Sequence, residues 1–257
     1  MQLKEASFYD LKEKSIFITG GGSGIGAAIT EGFLAQGAKV SFVQRSDAQI
    51  FCDKMEENYK NRPNFIECDI SNVSYLTSAI NEAEKKNGSI AVLVNNAAND
   101  VRHETLEVTE EFWDASQAIN LRAYFFAAQR VINGMIKQGG GSIINMSSIS
   151  YMMGNSGFPS YIAANSGING LTRGLAREFG PNKVRVNSLA PGWVMTEKQK
   201  NMWVTEDLLK AHLNRQCLKD ILVPQDIVGS VLFLASDISK SITGQLLAVD
   251  GGVVTTG

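Results

Sequence analysis

The chain has 257 residues, of which 44% are hydrophobic and 19% are charged, and its formal net charge is −2. This balance leaves no basic field that would attract nucleic acid or an anionic membrane, so we expect neither partner. Three cysteines without metal-ligand spacing, a charged N-terminus and the lack of any run of 18 uncharged apolar residues predict a soluble, cytoplasmic protein.

Apolar segments follow one another in the order of an alternating α/β protein. Seven short segments rich in Val and Ile are predicted strands, over residues 15–20, 39–44, 64–70, 90–98, 141–148, 184–192 and 244–252. Helical spacing covers residues 27–37, 47–60, 73–88, one or two stretches within 109–136, and 161–179. We therefore predict a single domain over residues 1–257 with an α/β, doubly wound (Rossmann) fold, whose mostly parallel seven-stranded sheet carries helices on both faces.

A glycine-rich turn, TGGGSGIG at residues 19–26, separates the first strand from the first helix. Glycine lets the backbone approach a diphosphate, and the amides at a helix N-terminus receive the phosphate charge. A plain glycine loop is the alternative, but the strand–turn–helix context favours a dinucleotide site. The predicted cofactor-binding residues of this turn are Gly20, Ser23, Gly24, Ile25 and Gly26.

The end of the second strand bears on the choice between NAD and NADP. An acid there would bind the adenosine ribose of NAD, whereas an arginine accommodates the 2′-phosphate of NADP. The chain has Gln44 and Arg45 at this point, with Asp47 further on. Arg45 without an acid at position 44 favours NADP, with NAD as the alternative. A solvated loop position for Arg45 stays open.

Four motifs occur in order along the chain: the glycine turn, NNAA at residues 95–98, Ser148 thirteen residues before Tyr161, and Pro191-Gly192. Together they resemble the short-chain dehydrogenase/reductase family across nearly the whole chain. The resemblance implies catalytic roles for Asn120, Ser148 and Tyr161. It also implies cofactor contacts from Asp69, Ile70, Asn95, Ala97, Pro191, Gly192 and Thr196.

The roles implied by this resemblance match the chemistry of alcohol oxidation. A base must take the hydroxyl proton while the nicotinamide carries the hydride. Tyr161 would be that base, Ser148 would hold the substrate oxygen, and Asn120 would anchor a water that leads to solvent. A phenol with a pKa of ~10 needs a neighbouring positive charge to favour its phenolate.

Asn165 departs from the family pattern. It stands four residues after Tyr161 on the same helix face, where the family has a lysine that binds the nicotinamide ribose and lowers the tyrosine pKa. An asparagine can still bind a ribose hydroxyl, so Asn165 is assigned to both the cofactor-binding and the catalytic set, although it has no charge to give. Three accounts stay open: a deliberate replacement that traps a complex, compensation by a lysine elsewhere or by the charge of the nicotinamide, and a protein that binds without turnover.

The residues after the fourth strand indicate the substrate. NDVRH at residues 99–103, with EFWD at 111–114 and QCLK at 216–219, resembles the aldose 1-dehydrogenases for xylose, galactose and L-fucose. We therefore expect oxidation of a sugar at carbon 1 to a lactone. A 3-oxoacyl-type or other carbonyl reductase and a catalytically inactive dinucleotide-binding protein are the alternatives. The substrate-binding candidates are Asn99, Arg102, His103, Tyr151, Asn155 and Trp193.

Two further expectations concern a lid and the assembly. Residues at about 193–216 are predicted to form a lid, because closure excludes water from hydride transfer. Within this segment, Trp203 is expected to pack rather than bind. The resemblance implies a homotetramer with contacts from helices within 109–136 and 161–179. No metal site is predicted.

Overall fold

Seven strands form one sheet at the centre of the structure, a computed structural model that describes residues 6–255. Their spatial order is β3-β2-β1-β4-β5-β6-β7, and all neighbouring pairs are parallel. The predicted doubly wound fold is confirmed, with a sheet that is parallel throughout these strands. The strands are β1 (Ser15–Thr19), β2 (Lys39–Gln44), β3 (Asn64–Glu67), β4 (Val92–Asn95), β5 (Gly141–Met146), β6 (Val184–Pro191) and β7 (Leu246–Val249).

Helices cover both faces of this sheet, as predicted. Ile16 and Phe17 are adjacent in β1 and belong to two different buried clusters, because successive side chains of a strand point to opposite faces. One cluster includes residues of α1, α2 and α9, and the other includes residues of α3, α5 and α6. The helices are α1 (Gly24–Ala35), α2 (Gln49–Tyr59), α3 (Val73–Asn87), α4 (Glu110–Gln117), α5 (Ala123–Lys137), α6 (Pro159–Phe179), α7 (Glu197–Met202), α8 (Glu206–Arg215) and α9 (Pro224–Ala235).

The strand order reverses at β1, which pairs with β2 on one side and with β4 on the other. Phe17 of β1 aligns with Ser41 of β2 and with Leu93 of β4. The connections from the carboxyl ends of β1 and β4 therefore run to opposite sides and leave a crevice between them. Open α/β sheets bind ligands in the crevice at such a switch point.

Residues 109–136 form two helices, α4 and α5, which is one of the two arrangements that the sequence allows, and a π-helical turn over Ala118–Arg122 joins them. Helices α7 and α8 lie in the segment that was predicted only as a lid. Helix α9 is not among the predicted elements. Six of its residues are buried, including Ile227, Val231 and Leu234, so its sequence lacks the polar face of a typical surface helix. Several predicted strands also end earlier in the structure, β4 at Asn95 and β7 at Val249.

Within the part of the chain that the structure describes, no helix combines the length and the apolarity needed to cross a bilayer. Over the same residues, no group of three or more His, Cys, Asp or Glu side chains is arranged to hold a metal ion. Residues 1–5, part of the charged N-terminus considered above, lie outside the described range.

A buried arginine fixes α9 to the sheet. Arg185 of β6 is 9% exposed, and its guanidinium donates to Ser239 Oγ at 3.0 Å. It also donates to the carbonyl oxygens of Ala235 (3.3 Å) and Ser236 (3.1 Å), at the C-terminus of α9. A positive charge is favourable at that end of a helix. These bonds hold the start of β6, the strand that ends at the crevice.

We expect Arg185→Met to lower the free energy of unfolding by about 2–4 kcal/mol, because two buried carbonyl oxygens lose their charged donor. Urea unfolding followed by circular dichroism measures the change. Arg173→Met is the matched control, since Arg173 is exposed on α6, and its effect should stay within about 0.5 kcal/mol. Equal losses in the two variants would contradict the assigned role of Arg185.

Candidate active site

The turn between β1 and α1 has the geometry that a dinucleotide needs. Gly20 has a φ of +71°, a backbone conformation that favours glycine. A Cβ at Gly26 would lie 1.9 Å from the carbonyl oxygen of Gly20, so a side chain there has no room. The Ser23 side chain makes no capping hydrogen bond to α1, which begins at Gly24. The first amides of α1 are therefore open to an anion, and the turn fits a diphosphate.

A cavity of about 1030 Å³ opens beside this turn. Protein pockets for small ligands measure about 300–1,000 Å³, so this one is large. It is lined by ten of the predicted site residues: Ile25, Arg102, His103, Ser148, Asn155, Tyr161, Pro191, Gly192, Trp193 and Thr196. The other predicted residues lie off its wall: Gly20, Ser23, Gly24, Gly26, Arg45, Asp69, Ile70, Asn95, Ala97, Asn99, Asn120, Tyr151 and Asn165.

The residues predicted to bind the adenosine half of a dinucleotide lie together beyond the glycine turn. The Gln44 side chain accepts a hydrogen bond from the Gly22 amide at 3.0 Å, which joins the turn to the end of β2. Burial raises the pKa of the Asp69 carboxyl, but hydrogen bonds from Ser71 and the charge of Arg45 outweigh it, and the pKa is lowered. Arg45 itself is exposed. The guanidinium of Arg45 is therefore an exposed cation near the glycine turn.

One predicted cofactor-binding residue, Asn95, lies inside the sheet and not on the cavity wall. Its side chain is fully buried, and its amide nitrogen donates to the Asn145 side chain (2.9 Å) and to the Tyr124 carbonyl oxygen (3.3 Å). It faces the neighbouring strand β5, because Asn95 pairs with Asn145 in the sheet. Its neighbour Asn96, which sequence reasoning missed, lines the cavity instead.

Asn120 holds the loop that follows β4. It lies in the π-helical turn and is 1% exposed. Its oxygen accepts from the Asn99 amide (2.7 Å), and its nitrogen donates to the Asn99 carbonyl oxygen (3.0 Å). Both polar atoms of the Asn120 side chain therefore bond to the backbone of Asn99. Asn99 itself does not line the cavity. The predicted water-anchoring role of Asn120 stays a prediction.

Tyr161 and Ser148 lie on the same cavity wall. Burial raises the pKa of the Tyr161 phenol, and the nearby Asp100 carboxylate raises it further. Hydrogen bonding with the Ser148 and Asn165 side chains and the positive charge of Arg102 act in the opposite direction. The Ser148 hydroxyl accepts a hydrogen bond from the Ser150 amide at 3.1 Å, and its single proton can be donated either to the Tyr161 phenol or to a ligand.

Residues 193–215 contribute to the lining of the cavity, and some of the groups there were missed by sequence reasoning. Asp100 accepts hydrogen bonds from Lys198 (2.6 Å) and Gln199 (3.0 Å). The other end of the Gln199 side chain accepts from Trp193 Nε1 at 2.9 Å. His212 and Trp203 also line the cavity. The sequence places these residues in the predicted lid, but their spacing alone does not show which side chains face the cavity.

Comparison with known proteins assigns the chain to a family. A family model described as Enoyl-(Acyl carrier protein) reductase matches residues 20–254. Two similar proteins span nearly the whole chain. The "Probable galactose dehydrogenase GalD" of Rhizobium meliloti is 46% identical over 98% of this chain and 100% of its own length. A D-xylose 1-dehydrogenase of Caulobacter vibrioides is 40% identical over 97% and 99%. The chain belongs to the short-chain dehydrogenase/reductase family.

The chain is an NAD(P)-dependent oxidoreductase, which confirms the predicted enzyme class. A blue fluorescent protein from a metagenomic library, solved in complex with NADPH, is 33% identical. It superposes with a TM-score of 0.88 over 96% of this chain and 100% of its own length. The predicted resemblance to the aldose 1-dehydrogenase branch is confirmed by the galactose and xylose relatives.

Position 165 is where this short-chain dehydrogenase/reductase departs from the expected lysine. Asn165 is 2% exposed, and its amide nitrogen donates to the Tyr161 carbonyl oxygen at 2.9 Å. The side chain is therefore bonded to its own helix and does not line the cavity. Because Asn165 is uncharged, it stabilises a phenolate less than a lysine would.

We expect Gly26→Ala to weaken dinucleotide binding at least tenfold, because the new Cβ displaces the Gly20 carbonyl and with it the turn. A fluorescence titration with NADPH measures the dissociation constant. Gly174→Ala is the matched control: it lies in α6, and its Cβ would meet no atom within 4 Å. Unchanged binding by the Gly26 variant would show that the diphosphate does not approach this turn.

Proposed function

We propose that the protein oxidises an aldose at carbon 1 to the lactone, with NADP as the preferred cofactor. The observation that carries this proposal is the position of Tyr161 and Ser148 on one wall of a cavity that adjoins the glycine turn. Two relatives with 46% and 40% identity, named for galactose and D-xylose, support a sugar as the substrate.

The proton transfer is assigned to Tyr161. Ser148 donates a hydrogen bond to the oxygen at carbon 1 and orients it, and Tyr161 in its ionised form takes the hydroxyl proton. The nicotinamide, when bound, accepts the hydride. The surroundings of the phenol disfavour the phenolate, since burial raises the pKa of Tyr161. Oxidation should therefore become faster as the pH rises toward that pKa.

Unpaired polar atoms around the cavity suit a polyhydroxylated ligand. His103 Nε2, Trp203 Nε1 and His212 Nε2 are buried and have no hydrogen-bond partner among the described residues. Burial lowers the pKa of His212, and the charge of Arg215 lowers it further, so the imidazole is neutral at pH 7. Hydroxyl groups donate and accept, and they would satisfy both imidazoles and the indole. A simple apolar alcohol would leave these atoms unpaired, which costs affinity.

We assign closure of the cavity to residues 193–216. Helices α7 and α8 lie within this segment, and Lys198 and Gln199 of α7 bond to Asp100 across the cavity edge. Such contacts can exclude water while the proton and hydride move. We also propose a homotetramer formed by a single-domain subunit. It is supported by the exposed Trp113 of α4 and Phe125 of α5, both in helices where the family resemblance places subunit contacts.

The preference for NADP rests on Arg45. Arg45→Gln is expected to raise the dissociation constant of NADPH about tenfold and to leave that of NADH within twofold, because only NADPH carries the 2′-phosphate. Fluorescence titrations with both cofactors measure the two constants. Arg173→Gln, an exposed arginine on α6, is the control. Equal weakening of NADPH and NADH by the Arg45 substitution would overturn the assignment.

The enzymatic role is tested by restoring a cation at position 165. Asn165→Lys should raise the rate of sugar oxidation at neutral pH about five- to tenfold and shift the pH profile to lower pH. The added charge lowers the pKa of Tyr161, so the active phenolate is present at lower pH. Asn165→Gln is the uncharged control and should not shift the profile. The rates are read from NADPH formation with a panel of pentoses and hexoses.

Two outcomes of the same panel would reject the proposal. Faster reaction with 3-oxoacyl thioesters than with any aldose would assign the protein to the carbonyl reductases. Cofactor binding without turnover of any alcohol or sugar, even with lysine at position 165, would assign it to the inactive dinucleotide-binding proteins. Tyr161→Phe should remove at least 99% of the activity, since general base catalysis contributes about 10²–10⁴-fold.

A further inference from the structure

Position 165 supplies no charge to the phenol. The Asn165 amide bonds to the carbonyl oxygen of Tyr161, and its backbone oxygen accepts from Ser147 Oγ at 3.2 Å. A proton-accepting tyrosine in a buried place needs a cation nearby, because burial favours the neutral phenol. If the protein turns over its substrate, a cation other than residue 165 has to favour the phenolate, either the nicotinamide itself or another side chain near the phenol.

Arg102 lies over the ring that stacks on Tyr161. Its Cζ atom is 3.6 Å from the centroid of the Phe158 ring. Phe158 in turn stacks on Tyr161, with 5.4 Å between centroids and 23° between ring planes. A guanidinium, an apolar ring and the phenol thus follow one another along the cavity wall, and all three side chains line it. Arginine favours such positions over aromatic rings.

Backbone contacts fix the loop that carries Arg102. The amide of His103 donates to the carbonyl oxygen of Gly157 at 2.8 Å, and Arg102 Nη1 donates to that of Ser156 at 3.4 Å. Both acceptors belong to the segment just before α6, the helix of Tyr161. At the start of the loop, the Asn120 side chain holds the backbone of Asn99. The position of the guanidinium relative to the phenol is therefore set from both ends of the loop.

The other charged and titratable groups near the phenol do not supply this cation. Asp100 has the opposite effect on Tyr161, and its carboxylate is already paired with Lys198 at 2.6 Å. Tyr124 is fully buried, and burial raises the pKa of its phenol, so it stays neutral. Among residues 6–255, no carboxylate oxygen lies within 4.0 Å of the Arg102 guanidinium nitrogens. The charge of Arg102 is therefore not cancelled by an ion pair.

We propose that Arg102 is a positioning residue for proton transfer: its guanidinium, held over Phe158, favours the ionised form of Tyr161 and takes over part of the work of the lysine that position 165 lacks. The inference rests on the proposed function, in which Tyr161 is the base. Arginine keeps its charge at every pH at which a protein is folded, so this contribution does not titrate away.

The first test measures the phenol directly and needs no turnover. The ultraviolet absorbance of the phenolate is titrated with pH, and the curve of the Tyr161→Phe variant is subtracted to isolate Tyr161. Arg102→Gln is expected to raise the pKa of Tyr161 by about 0.5–1 unit, the size typical of a partly exposed charge. Arg102→Lys, which keeps the charge, should leave it within about 0.3 unit of its original value.

Arg215→Gln is the matched control, because Arg215 also lines the cavity, whereas the cation over the Phe158 ring is Arg102. The Arg215→Gln substitution should shift the pKa of Tyr161 by less than about 0.2 unit. Equal shifts of the Tyr161 pKa in the Arg102→Gln and Arg215→Gln variants would show that any cation at the cavity has the same effect. Equal shifts in the Arg102→Gln and Arg102→Lys variants would show that packing, and not charge, sets the pKa. Either result, or no shift at all with Arg102→Gln, overturns the proposal.

A second test asks whether a lysine at position 165 takes over the effect of Arg102 on activity. Arg102→Gln should lower kcat/KM about three- to tenfold in the protein with Asn165 and less than twofold when Asn165→Lys is also present. Equal losses in both backgrounds would show that Arg102 and position 165 act independently, and the inference would fail. If no variant oxidises any alcohol, the proposed function fails instead, and the absorbance titration alone decides the effect of Arg102.

Discussion

The contact between the ends of β1 and β4 is the constraint on which the site depends. Thr19 ends β1, and its hydroxyl accepts hydrogen bonds from the amides of Asn96 (2.9 Å) and Ala97 (3.0 Å), just after β4. The Asn96 side chain returns two bonds to the carbonyl oxygens of Thr19 and Gly20. These bonds fix the glycine turn against the loop that leads to Arg102. The diphosphate site and the proton-transfer site therefore share one framework.

Much of this framework could be predicted because its sequence signals are local. The glycine turn is specified by residues that are adjacent in sequence, and a side chain at Gly26 has no room for steric reasons alone. Strands that are buried on both faces can be recognised in a sequence as short runs of Val and Ile. Ser148 follows β5 and Tyr161 lies in α6, and both residues line the cavity.

The features that the sequence does not determine are those that depend on tertiary contacts. Asn95 and Asn96 are the same residue type side by side, and the register of β4 against β5 decides which one faces the cleft. Helix α9 is buried over most of its surface, so its apolar pattern resembles neither an amphipathic helix nor a strand. The stack of Arg102 on Phe158 joins two loops that are far apart in sequence, and no spacing rule connects them. Asn120 is another case, because a π-helical turn sets its direction.

The ion pair between Asp100 and Lys198 is part of the enclosure around the cavity, since Asp100 and its second partner Gln199 both line it. The Lys198 side chain is 48% exposed and the Asp100 side chain 23% exposed, so dissolved ions can screen their attraction. If residues 193–216 close the cavity as proposed, entry and exit of small molecules depend on ionic strength. In the proposed reaction, a salty medium would hasten departure of the lactone while weakening the seal against water.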